Sequence, residues 1–281
     1  MPDEQIKATY EQHSGNDLTC VNAARVSFGK RSSMVEDEHG VWRLKDADKR
    51  LIQFLARGYT ADEYEEFVQD IAETKYFEDE YDFDVNGYPP THGTGEWLEK
   101  QLWAFRDKSE HKSPFNHCFA TFVVDAPIFV RSQLTKSEYL VVNEVSRRYV
   151  DTAPEFYTPT TWRNKAANKK QGSEGINRKF NHGVGTGYRE AEYEHNDNSL
   201  ALYEKVLSHG VAPEQARMLL PQSMMTTWWW SGSLGAFAKM CRLRLAPDAQ
   251  YESRLVAQQI SNKMLELYPV AWKSLVLREF D

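Results

Sequence analysis

The stretch that decides the fold is Ala126-Pro-Ile-Phe-Val-Arg-Ser-Gln-Leu-Thr-Lys-Ser-Glu-Tyr-Leu-Val-Val-Asn-Glu-Val-Ser-Arg-Arg-Tyr-Val-Asp151. It opens apolar and closes as a dense polar row. Read as a β-strand, its tail sends side chains alternately to two faces. Glu144, Ser146 and Arg148 then share one face, and Asn143, Val145, Arg147 and Tyr149 the other. A carboxylate, a hydroxyl and a guanidinium in line on a stiff element form a preorganised polar site, suited to an anion that also carries hydroxyl groups. An exposed strand with a charged outer face accounts for the same letters, and taken alone the row is better described that way.

Working outward, the chain has 281 residues, enough for one large domain or two small ones, and its 41% hydrophobic content supports a core. No apolar run approaches the ~20 residues of a membrane span, and the N-terminus lacks a signal-peptide pattern. The three cysteines, Cys20, Cys118 and Cys241, have neither metal nor disulfide spacing. A cytoplasmic, reduced protein is expected. A formal net charge of −7 argues against general nucleic-acid binding, so an anion site here would be a local concentration of arginine.

Cys20 to Phe28 reads as a strand or strand-to-loop. Asp46 to Thr74 reads as helical, with Leu51, Phe54, Leu55, Tyr64, Phe67, Val68 and Ile71 at core spacing and a break near Gly58. The acidic aromatic run 76–84 lacks the spacing and glycine of a calcium loop and reads as a solvated loop; a helix follows from Glu96 to about Lys108. Pro114 suits the first turn of a helix with Ser113 as cap. Cys118 to Asp125 alternates as a strand. Residues 152–200 are a long polar crossing, read as a solvated connection rather than a lid, with a helix from Glu190 to His209 stopped by Gly210. Pro213 starts a helix that sets Glu214 and Arg217 one turn apart, in its plain reading a surface ion pair worth ~0.5 kcal/mol. Met224 to Trp230 reads as a strand. Its three consecutive tryptophans cannot face one way, so both faces need cover, as in a subunit interface. Ser233 to Leu245 is helical, with Leu234, Phe237, Ala238, Cys241 and Leu245 in one stripe. Arg244 lies at that apolar face, where a charge is costly unless paired, with an internal carboxylate as the plain partner. A last long helix spans Pro247 to Tyr268.

Asn143-Glu-Val-Ser-Arg-Arg-Tyr149 resembles the second half of the signature RHRxxSxNExSxRY of the flavin-dependent thymidylate synthases. Further segments follow in the family's order: Ser113-Pro-Phe-Asn-His117, Ala126-Pro-Ile-Phe-Val130, Glu214-Gln-Ala-Arg217 with Leu220-Pro221, and Leu243-Arg244 with Ala249-Gln250-x-Glu252-x-Arg254. The resemblance implies an α/β (α+β) fold with a central mixed or antiparallel sheet flanked by helices. One domain would cover 1–281, with an insertion at about 31–108. It implies C5 methylation of dUMP to dTMP without an enzyme cysteine nucleophile, using methylenetetrahydrofolate as carbon donor, FAD as redox carrier and NADPH as reductant, in a homotetramer. Carried over by position, Gln133, Glu144, Ser146, Arg148, Arg217 and Arg244 would bind the nucleotide, with Arg148 and Arg244 catalytic. Ser27, His111, Ser113, Lys136, Ser137, Glu138, Asn143 and Glu144 would face the flavin. No metal is implied.

The departures from the family pattern cluster. Lys136, Ser137 and Glu138 stand where the signature has Arg-His-Arg, and Val141 replaces a serine. Ser233 and Gly235 stand where Asn-x-Arg is common, and Asp248 where a histidine is frequent. Glu138 reverses a charge, worth several kcal/mol beside an anionic flavin at an effective dielectric of ~20. The nucleotide positions are kept while the cofactor positions are altered. Two alternatives stay open: a sister enzyme, of phage or bacterial type, that acts on dCMP or dUMP and leaves a methyl or hydroxymethyl group; and a nucleotide-binding protein without catalysis.

Overall fold

The computed structural model describes residues 4–60, 62–67, 69, 111–150, 152–167, 172–178 and 187–277. Its strands are β1 (Lys7–Ser14), β2 (Val35–Glu36), β3 (Trp42–Arg43), β4 (Phe119–Pro127), β5 (Leu140–Glu144), β6 (Arg163–Lys165), β7 (Ser173–Ile176) and β8 (Met225–Ser233). Its helices are α1 (Asp17–Arg25), α2 (Asp46–Arg57), α3 (Ile128–Leu134), α4 (Gly187–Ser208), α5 (Pro213–Ala216), α6 (Leu234–Arg244), α7 (Tyr251–Leu267) and α8 (Pro269–Trp272). The chain divides into two compact units, Met1–Ser14 with Phe119–Met264 and Gly15–Cys118 with Leu265–Asp281. The run at 76–84, the helix expected at 96–108 and residues 168–171 of the polar crossing lie outside the described residues.

The first unit is built on a four-stranded sheet in the order β1-β4-β8-β5, antiparallel at every step. The register sets Phe122 opposite Trp230 and Val124 opposite Trp228. Period-2 alternation therefore sends Phe122, Val124, Trp228 and Trp230 to one face, and all four are fully buried. Phe237 of α6 closes that face edge-on, its ring 5.4 Å from Phe122 and 5.8 Å from Trp230. Burying rings of this size stabilises by roughly 4–6 kcal/mol each before conformational entropy is charged. The helix stripe read from the sequence is the stripe that packs: Leu234, Phe237, Ala238 and Cys241 are buried. Ser233 caps α6 by accepting from the Ala236 amide at 3.2 Å. The edge strand β1 is covered by Gln259 of α7, which accepts from the Ala8 amide at 3.0 Å and donates to the Ile6 carbonyl at 3.1 Å.

The sheet's other face carries Phe119, Val123, Val141, Asn143 and Trp229. Here Trp229 is 50% exposed and Val141 66%. The polar crossing, read as a plain connection, contains a hairpin: β6 pairs antiparallel with β7. Gly210 takes φ +82° after α4, in the left-handed region that ends a helix.

In the second unit, the segment read as a strand at Cys20–Phe28 is helical. Asn16 and Thr19 form a reciprocal capping box: the Asn16 side chain accepts from the Thr19 amide, and the Thr19 hydroxyl from the Asn16 amide, both at 3.1 Å. That nucleates α1, and a 3₁₀ turn, Val26–Phe28, continues it. The helix expected from Asp46 runs to Arg57 and stops at Gly58, φ +79°. Asp17 is buried and accepts from the amides of Val270 and Ala271 at 2.9 Å each, which seats α8. Cys20 and Cys118, far apart in sequence, are free thiols with sulfurs 3.5 Å apart.

Candidate functional site

The kept nucleotide positions lie in the first unit, in four groups, Arg217 forming its own. The strand read across 143–149 ends at Glu144. The Val145 amide makes a last ladder bond to the Thr227 carbonyl at 2.9 Å, and the chain then turns, Tyr149 N to Ser146 O at 3.0 Å. The cause is local. The Ser146 hydroxyl accepts from the Arg148 amide at 3.3 Å and from its Nε at 3.2 Å, a side-chain bond that competes with the ladder. Glu144, Ser146 and Arg148 therefore do not form one strand face. Ser146 and Arg148 form a turn, and Arg147 ties the end of that loop back to the Thr152 carbonyl at 2.5 Å.

Glu144 forms the second group. It is held by Arg131 of α3 at 2.5 Å and by the Thr226 hydroxyl of β8 at 3.0 Å. The third group joins α3, α6 and α7. Arg244 donates through Nη2 to the Gln133 carbonyl at 3.0 Å, so its partner is a main-chain oxygen and not the carboxylate expected. Its Nε is buried without a hydrogen-bond partner among the described residues. Burial lowers the pKa of this guanidinium, which stays protonated all the same. Ser253, fully buried on α7, donates its hydroxyl to the Gln133 side-chain oxygen. Arg217 is exposed in a 3₁₀ turn after α5 and donates to the Glu214 carbonyl at 3.3 Å. That replaces the expected ion pair with the Glu214 carboxylate.

The altered cofactor positions have their own chemistry. Lys136 is exposed. The Ser137 hydroxyl is buried with no hydrogen-bond partner among the described residues. Glu138 forms an ion pair with Lys239 of α6, which holds its carboxyl below the usual range. The reversed charge is therefore compensated within the chain. Tyr139, which follows, is the one described non-glycine residue with positive φ, at 64°. Asn143 is exposed on the sheet face with Trp229. In the second unit, Ser27 is exposed in its 3₁₀ turn. The loop after it is anchored by buried Asp48, which accepts from Arg25 at 2.5 Å and from the Ser32 hydroxyl at 2.5 Å. His111 stacks on Phe54 with centroids 6.1 Å apart. Ser113 is the first residue of a short 3₁₀ helix, Ser113–His117, whose cap position is Lys112, with no side-chain cap bond.

Arg131, Thr226, Lys239 and Ser253 carry no signal in the sequence that marks them for the site. The partners of Thr226, Lys239 and Ser253 lie far along the chain, 82, 101 and 120 residues away, so no local pattern points to them. The closing motif is structural: Glu252 pairs with Arg163, whose guanidinium lies 4.4 Å over the Tyr251 ring. A cavity of about 510 Å³ is lined by Lys7, Asp125, Arg147, Thr226 and Thr227 among others, and none of the expected site residues lines it. No group of three metal-ligating side chains occurs among the described residues, and no described helix is long and apolar enough to cross a membrane.

The profile described as "Thymidylate synthase complementing protein" matches residues 9–270. A flavin-dependent thymidylate synthase of Thermus thermophilus is 37% identical over 165 residues, 59% of this chain and 59% of the relative. The chain thus spans about three fifths of that relative's length. The flavin-dependent thymidylate synthase of Thermotoga neapolitana is 26% identical over 262 residues, covering 93% of this chain and 87% of the relative. Among solved structures, a UMP/dUMP methylase, PolB, from Streptomyces cacaoi bound with 5-Br dUMP superposes with a TM-score of 0.65 at 23% identity, over 96% of this chain and 94% of its own. With an antiparallel sheet flanked by helices and a family match over nearly its whole length, the chain belongs to the thymidylate synthase complementing protein family.

Proposed function

We propose that the protein methylates dUMP at C5 to give dTMP. The observation that carries this is the part-buried junction of Gln133, Arg244 and Ser253, where a guanidinium with an unused Nε donates to the main chain of a residue whose carboxamide is fixed. A guanidinium offers donors only. It would take the carbonyl edge of a uracil and stabilise the negative charge that develops on the ring as C5 becomes nucleophilic. Arg148, steadied by Ser146, would bind phosphate, with Arg217 as a further cation for it. Glu144, fixed by Arg131 and Thr226, would accept from the sugar. The proton leaving C5 and the incoming carbon need no enzyme thiolate. Cys20, Cys118 and Cys241 are all buried, and burial pushes the Cys241 thiol up, the opposite of an activated nucleophile.

The groups present fit a flavin nucleotide. The orphaned Ser137 hydroxyl, exposed Lys136 and Asn143 offer polar contacts on the first unit, and Lys239 removes the repulsion that Glu138 alone would exert on phosphate. When bound, FAD would carry reducing equivalents from NADPH, with methylenetetrahydrofolate as the carbon source. A second reading, a hydroxymethyl product or dCMP as substrate, is motivated by the Glu138–Lys239 pair at the altered positions. The reading implies a homotetramer in a bacterial cytoplasm, encoded by host or phage, with no part for nucleic acid or membrane. Incubating the protein with dUMP, FAD, NADPH and methylenetetrahydrofolate and weighing the nucleotide product by mass spectrometry tests it. A product one methyl group heavier is expected; unchanged dUMP contradicts the proposal, and a hydroxymethyl mass selects the second reading.

A further inference from the structure

The Gln133 side chain is the one neutral amide in the junction, and an amide presents either an acceptor or a donor according to which end is tied. Its oxygen is tied. Ser253, with no exposed surface, donates its hydroxyl to Gln133 Oε1. Turning the amide over would set its NH₂ against that hydroxyl, whose hydrogen would then need a new acceptor inside the packed helix; an unmet buried donor is costly. The lock therefore leaves Gln133 Nε2 as the untied end. Arg244, bonded to the same residue's carbonyl, adds donors only. The untied Gln133 NH₂ and the Arg244 guanidinium are both donors.

Uracil and cytosine differ where this matters. Uracil carries an acceptor oxygen at C4, and cytosine an amino donor. Set against the C4 substituent, the Gln133 NH₂ leaves the cytosine amino group unpaired, whereas the oxygen of a turned amide would satisfy it. We propose that Ser253 is the positioning residue that selects uracil over cytosine, by locking the Gln133 carboxamide with its NH₂ toward the base. This deepens the functional reading and rests on it, since it takes a pyrimidine monophosphate as the ligand.

Titration calorimetry of the full chain with dUMP and with dCMP tests it. The parent protein should bind dUMP at least about tenfold more tightly than dCMP. Ser253→Ala, which frees the amide to turn, should narrow that ratio about fivefold, mainly by strengthening dCMP binding. Ser253→Cys, close in volume and a weak donor, should shift the ratio in the same direction, which guards against a folding defect in the alanine variant. Ser253→Thr keeps the hydroxyl and should restore the parent ratio. A simple packing role would weaken both nucleotides together and leave the ratio unmoved. An unchanged ratio in Ser253→Ala and Ser253→Cys, or a parent that prefers dCMP, overturns the inference while pyrimidine binding stands. Binding of neither nucleotide by the parent overturns the functional reading and this inference with it.

Discussion

Asp48 and Asp17 show how single buried carboxylates organise the second unit. Asp48 has no exposed surface and anchors both Arg25 and Ser32, the two ends of the loop that presents Ser27. Asp48→Ala leaves the largely covered Arg25 charge unpaired and should cost about 3 kcal/mol in urea unfolding; a loss below about 1 kcal/mol would mean the pair is dispensable. Asp17 behaves differently. Burial outweighs the two amides it accepts from and raises its carboxyl above the ordinary 3.8. Because the folded pKa is raised, the protonated form is favoured on folding. The contribution of Asp17 is then fullest below pH 3.8 and declines as pH climbs through the folded value. The deficit of Asp17→Asn, about 1–3 kcal/mol, should be largest in acid and narrow toward neutral pH in parallel melts. A deficit that widens with pH would reverse the sign.

Among the elements, β5 is an edge strand with a single strand partner. It pairs with β8 across Leu140–Gly232, and a Cβ on Gly232 would meet Leu140 Cδ2 at 2.3 Å and the Tyr139 carbonyl at 3.0 Å. Gly232→Ala should push β5 away, costing about 1–3 kcal/mol and loosening the turn that carries Ser146 and Arg148; amide exchange across 140–149 would report it, and unaltered protection there would contradict it. The long regular elements are readable because their patterns are local. The alternation of β4 and the 3.6-residue stripe of α6 each lie within one stretch. The segment 145–149 reads as strand because alternation in letters is the same in a strand and in a turn; the Ser146 hydroxyl bond decides between them. Cys20–Phe28 reads as strand because its helix is started by Asn16, upstream of the apolar letters that suggest extension. The hairpin β6–β7 escapes a sequence reading because its strands are short, three and four residues, and polar. The site is legible as residue types but not as contacts. Gln133 and Arg244 meet as part of one junction, and Arg217 lies in its own 3₁₀ turn.

At the scale of the molecule, an acidic chain of net charge −7 concentrates the arginines of its kept positions in the first unit, which also leaves one sheet face half covered. Phe119, Val141 and Trp229 lie on that face, at 51%, 66% and 50% exposure. Neighbouring large apolar groups on a flat sheet invite a partner, and a second copy of the chain would supply one in the homotetramer proposed. Trp229→Glu should lower the mass measured by light scattering while leaving the melting of the isolated chain nearly unchanged; a parent-like mass would move the interface elsewhere. The proposed chemistry stands or falls on the identity of the nucleotide. Titrating dUMP into the parent protein and into Arg244→Ala tests it most directly. Saturable binding by the parent is predicted, with a loss of roughly tenfold to hundredfold on removing the guanidinium; equal affinity in the two proteins, or no binding by the parent, would contradict it.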